Sequence, residues 1–147
     1  MKSEPGTPGG RLIRAIALRD NDSFKLWRAD VNLSEEAQAP LYDLIFEVFL
    51  TLVLLRFQNL ANEGQVKEFI YRERLLLLPV AGFSRAKAEL LVRSALGERG
   101  RISDISTGER VQLRLQLITY LVEDLSLVDE QIVHLIIDGE RAVAENT

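Results

Sequence analysis

PLYDLIFEVFLTLVLLRFQNLAN, residues 40–62, is the stretch around which the chain is organised. Read as a helix, its thirteen aliphatic or phenylalanine residues, Leu41 to Leu60, cover nearly the whole circumference. One polar stripe is left, made of Asp43, Glu47, Thr51, Gln58 and Asn62, with Arg56 and Asn59 as interruptions near the end. A surface helix needs only one apolar stripe, so a helix apolar almost all round is buried by several neighbours or by a partner chain. The remainder of the 147 residues is expected to pack against it.

The composition bounds what that object is. At 147 residues and 47% hydrophobic, the chain suits one ordinary domain, which buries roughly 70% of its extended-chain surface. The absence of cysteine excludes disulfides, thiolate nucleophiles and cysteine-ligated zinc. MKSEPGTPGG, residues 1–10, has no apolar core of secretory length and reads as a disordered lead-in to a single domain over 11–147. Asp43, Glu47 and Arg56 leave at most eight uncharged residues in a row, Val48 to Leu55, against the roughly 20 of a membrane span. The expected location is the cytoplasm.

Net charge is −4, unevenly spread. Residues 67–114 hold ten of the eighteen Lys and Arg against six acids, whereas 115–147 hold seven acids and one Arg. Such asymmetry marks either a basic binding face or two faces that attract each other, and the second is the simpler reading.

Taken in order, Leu12 to Val31 carries apolar residues on both sides of Asp20-Asn21-Asp22, a turn-forming cluster, and predicts a β-hairpin over 12–19 and 24–31 with Trp27 as anchor, while Leu12, Ile16 and Arg19 also fit a helix. Ser34-Glu35-Glu36 or Pro40 opens the long helix, and Glu63-Gly64 closes it. Gln65 to Leu78 fits a further helix stopped by Pro79. Residues 85–96 form another, with Ser84 as N-cap, Gly97 just past its end, and Ala88, Leu91, Val92 and Ala95 facing inward.

Ser106-Thr107-Gly108-Glu109 matches a capping box. The following RVQLRLQL alternates like a strand, but Val111, Leu115, Ile118, Val122 and Leu125 recur at helical spacing, and helix is the reading taken. Ser126 and Asp129 suggest a second, weaker box opening a last helix to about Ala144. In that helix Ile132, Val133, Ile136 and Val143 face inward, and Glu130, His134, Asp138, Arg141 and Glu145 face outward. Gly139 in its interior costs about 1 kcal/mol against alanine. The fold class is mainly α: about five helices packed around the central helix 40–62, with a short N-terminal β-hairpin.

Chemistry is sparsely supplied. Glu130, His134 and Asp138, spaced by four, offer two carboxylates and an imidazole on one helix face, but His134 is the one histidine and a solvated face is the simpler account. No G-x-S-x-G, G-x-G-x-x-G or Walker-type motif occurs. No enzymatic activity, cofactor or metal is expected. Val80-Ala81-Gly82-Phe83-Ser84-Arg85-Ala86-Lys87-Ala88-Glu89-Leu90-Leu91 resembles the glycine turn and second-helix start of helix-hairpin-helix modules. Ser84 stands where the motif's second glycine is expected, and there is one copy rather than a tandem pair. The resemblance implies phosphate contact through backbone N–H groups, supported by Arg85, Lys87, Arg93, Arg99 and Arg101, with steep salt dependence.

The expectation is therefore a non-enzymatic protein–protein interaction module acting in assembly or regulation as a homodimer, through Phe46, Phe49, Val53 and Phe57. The alternative is a nucleic-acid-binding module contacting phosphates at residues 82–101.

Overall fold

The computed structural model describes residues 4–18, 35–57, 63–71, 85–97 and 102–145. Among the described residues there are six α-helices and no strand. They are α1 (Pro8–Ala17), α2 (Glu35–Arg56), α3 (Glu63–Ile70), α4 (Arg85–Ala95), α5 (Thr107–Asp124) and α6 (Asp129–Glu145), with a 3₁₀ turn at Ile102–Asp104.

The first helix corrects the predicted hairpin. Thr7 is extended (φ −117°, ψ 154°), and its hydroxyl oxygen accepts a hydrogen bond from the Gly10 N–H at 3.0 Å. Pro8 follows in the first turn, where its missing N–H would have had no partner. Leu12, Ile13, Ala15 and Ala17 are buried, and the Arg11 and Leu18 N–H groups donate to Thr7 O and Arg14 O, four residues back, as in a helix. The first arm of the hairpin is thus helical through Ala17, and the second arm, residues 24–31, lies outside the described residues.

Of the lead-in over 1–10, residues 1–3 lie outside the described residues, and α1 begins within the remainder at Pro8. Gly9 and Gly10 are buried in α1. The Gly6 and Thr7 N–H groups donate to Glu140 Oε1 and Oε2 on α6, at 3.0 and 2.7 Å, and the Thr7 hydroxyl donates to Oε2. A Cβ at Gly10 would meet Glu140 Oε2 at 2.7 Å and Pro5 Cβ at 2.8 Å, so this glycine permits close approach.

Helix α2 begins at Glu35 and takes Pro40 inside it, which removes one ladder hydrogen bond near the start. It ends at Arg56, with the Phe57 N–H donating to Val53 O at 2.9 Å, and residues 58–62 lie outside the described residues. It contacts α1, α4, α5 and α6, and Leu41, Leu44, Ile45, Val48, Phe49, Leu52, Val53 and Phe57 are buried. Where α6 crosses it, a Cβ at Gly139 would meet Leu44 Cδ1 at 3.1 Å and Val48 Cγ2 at 3.3 Å. The glycine that weakens α6 by propensity is what lets the two backbones approach.

Helix α4 buries Ala88, Leu91 and Val92, as its periodicity predicts, and Gly97 beyond it has φ +94°. Helix α5 starts at Ser106, whose Oγ accepts from the Glu109 N–H at 3.2 Å. Its buried face is Leu113, Leu117, Ile118, Tyr120, Leu121 and Val122. That face is rotated from the expected one, since Val111, Leu115 and Leu125 are only partly buried.

The α5–α6 connection is a Schellman turn: the Leu127 N–H donates to Val122 O and the Ser126 N–H to Glu123 O, both at 3.1 Å. Ser126 occupies the left-handed position at φ +53°. It does not cap α6; the Gln131 side chain does so by accepting from the Val128 N–H at 2.9 Å.

Candidate interaction surface

The four residues expected at a contact surface part company. Phe49, Val53 and Phe57 are 1%, 0% and 4% exposed, while Phe46 is 39% exposed. The first three are intramolecular core, because the faces of α2 that carry them meet the other helices; Phe57 also packs edge-on against Phe69 of α3, with ring centroids 5.9 Å apart.

What α2 leaves outside is a strip the sequence reading did not single out. Tyr42, Phe46 and Leu54 are exposed and Leu50 is half-buried; their spacing of four puts them along one slowly drifting line. Leu55 is exposed beside its end. The acids of α2 take the adjoining edge: Glu47 Cβ lies 3.7 Å from the Cβ position of Gly139, hence toward α6, and Asp43 precedes it by one turn.

On the α5 side, Arg114 stacks its guanidinium over the Phe46 ring at 5.0 Å from the centroid and lies 5.9 Å from that of Phe49. Arg110 sits one turn earlier and donates from Nη2 to Thr107 Oγ1 at 3.2 Å. The Nε atoms of both arginines are enclosed and have no acceptor. Burial, and then the charge of Arg110, hold the Arg114 guanidinium below the usual arginine range. These two arginines were missed by the sequence reading. The available signal was positional: on a helical wheel 114 falls between Leu117 and Ile118, inside an apolar arc.

The residues named for phosphate contact are engaged within the chain. Arg85 lies over the Tyr71 ring at 5.8 Å, Lys87 donates to Glu109 Oε2 at 2.5 Å, and Arg93 reaches Glu89 at 3.5 Å. Arg99 and Arg101 lie outside the described residues. The hydrogen bond from Lys87 holds the Glu109 carboxyl below its ordinary value, against a smaller opposing effect of desolvation. Glu109 thereby joins α4 to α5 and does not close the second half of its capping box.

Glu130, His134 and Asp138 lie exposed along α6, with His134 Nε2 4.0 Å from Glu130 Oε1 and Asp138 Oδ1 4.0 Å from Arg141. No group of three or more metal-ligating side chains is assembled among the described residues. A cleft of about 200 Å³ opens where α1, α2 and α6 meet, lined by Pro8, Pro40, Leu41, Leu44 and Val143 with Thr7 and Glu140 at its polar side. Its one carboxylate is already taken up by Gly6 and Thr7. No helix among the described residues is long and apolar enough to cross a membrane. No family model, curated protein or solved structure matches the chain.

Proposed function

We propose that this chain is a non-enzymatic protein–protein interaction module, its helices gathered around α2 and its contact surface running along Tyr42, Phe46 and Leu54. The observation that carries the reading is the exposed strip on α2: the helix that supplies more of the described core than any other still presents two aromatic rings and a leucine to solvent. Aromatic side chains bring large contact area at low entropic cost and dominate binding energy at interfaces. Phe46 is further fixed by the cation over its ring. The intramolecular contacts of Arg85, Lys87 and Arg93 favour this reading over phosphate binding.

Homodimer formation belongs to the proposal and is read by light scattering of the 16.6 kDa chain. Partner capture with Phe46→Asp and Leu54→Asp tests the strip itself. The reading expects a discrete protein partner, or self-association, lost in these variants while the helical circular dichroism signal is kept. A strict monomer whose captured proteins are identical for wild type and both variants overturns it. Nucleic acid that is lost at high salt and with Arg85→Glu/Lys87→Glu would put the alternative in its place.

A further inference from the structure

Arg110 and Arg114 are set apart from most charged groups of the described surface. Arg14 pairs with Asp129, Arg56 with Asp124, Lys87 with Glu109 and Arg93 with Glu89. Arg110 instead has a threonine hydroxyl and Arg114 two aromatic rings, and no carboxylate among the described residues reaches either. Like charges four apart on a helix oppose each other. Half-burying them without a counter-ion adds a desolvation cost, and an anion reverses both effects at once.

We propose that Arg110, Arg114 and the Phe46 ring form a docking site for an acidic segment of another protein, its carboxylates bridging the two guanidiniums and an apolar side chain covering Phe46 and Tyr42. This rests on the interaction reading above and adds the chemistry of the partner. Three features on the surface select that occupant. The guanidinium fork matches a carboxylate in shape as well as charge. Carboxylates one helical turn apart on a partner helix repeat the spacing of Arg110 and Arg114, and the exposed rings beside them supply the apolar half of an amphipathic contact. Glu47 lies toward α6, and Asp43 stands exposed three residues from Phe46, yet neither forms an ion pair with Arg110 or Arg114.

The test uses the full chain and a synthetic helical peptide carrying glutamates one turn apart beside a leucine, with a peptide bearing glutamine at those positions as control. Binding is followed by calorimetry and by the Nε–Hε NMR signals of Arg110 and Arg114. The glutamate peptide shifts both signals, binds about tenfold or more tightly than the glutamine peptide, and weakens as salt rises. Arg114→Met abolishes that preference while the melting temperature is unchanged or raised, as removal of an unpaired guanidinium predicts.

Equal binding of the two peptides overturns the acidic partner and leaves the exposed strip as an apolar contact. Binding of neither peptide also overturns it, and light scattering and partner capture then judge the interaction reading separately. Inorganic phosphate shifting the two signals as strongly as the glutamate peptide makes this a free-anion site, which overturns the protein-docking proposal.

Discussion

Ser126 holds a left-handed backbone conformation that costs a residue with a Cβ about 1–2 kcal/mol and costs glycine almost nothing. Glycine in turn gives the unfolded chain more freedom, which takes back about 0.4–1 kcal/mol. Ser126→Gly is therefore expected to stabilise the protein by roughly 0.5–1 kcal/mol in urea unfolding, with an unchanged m value. At Glu109 the matter is one of protons. Its carboxyl titrates below the ordinary glutamate value because Lys87 donates to it. A depressed folded-state value contributes stability above the unfolded-state value, and that contribution is lost as pH falls through the folded one. NMR titration of wild type should place the Glu109 midpoint below 4.5, and Lys87→Gln should return it upward. An identical midpoint in both proteins would remove the Lys87–Glu109 link between α4 and α5.

Whole elements were readable from sequence to the extent that their signals are local. Gly97 past α4, Ser106 before α5 and the helical recurrence in RVQLRLQL each act within a turn or two of the chain, and each has its expected counterpart in the structure. Helix α2 is the contrary case at its surface. Because it is apolar almost all round, its sequence carries no phase: nothing in the periodicity separates Phe46 from Phe49, and only the positions of α1, α4, α5 and α6 decide which ring is covered. The same reasoning explains the rotated face of α5 and the overlooked arginines, since Arg110 and Arg114 are placed by what lies opposite them. The distinction has a direct measure. Phe49→Ala should cost about 3–5 kcal/mol of unfolding free energy, as a core truncation does. Phe46→Ala should cost about 1 kcal/mol or less, mostly its contact with Arg114. Equal losses for the two would mean that Phe46 is part of the core after all.

For the molecule as a whole, Glu140 has a reach that no local pattern announces. One carboxylate on α6 accepts from the Gly6 and Thr7 N–H groups and the Thr7 hydroxyl, and it lies where the positive end of the α1 dipole favours an anion. Glycine- and proline-rich sequence at residues 5–10 looks like a tail until the partner that orders it is seen across the fold. Glu140→Gln keeps the shape but gives up the charge and puts an amide donor against backbone donors. At this exposed site the expected loss is about 1–2 kcal/mol, with faster hydrogen exchange at the Gly6 and Thr7 amides and little change in α5. Unchanged exchange at both amides would show that α1 is held by Leu12 and Ile13 alone.

The same bond sets an order of events during synthesis. Gly6 and Glu140 are 134 residues apart in the chain, so a ribosome working at about 5–20 residues per second makes the second roughly 7–27 s after the first. Helix α1 is followed soon by α2, against which it packs, but the α6 groups that also receive it, Ile136 and Glu140 among them, are made much later. The nascent chain thus holds α1 beside α2 but without its α6 partners until position 140 has been made, an interval in which a chaperone would meet a half-covered helix.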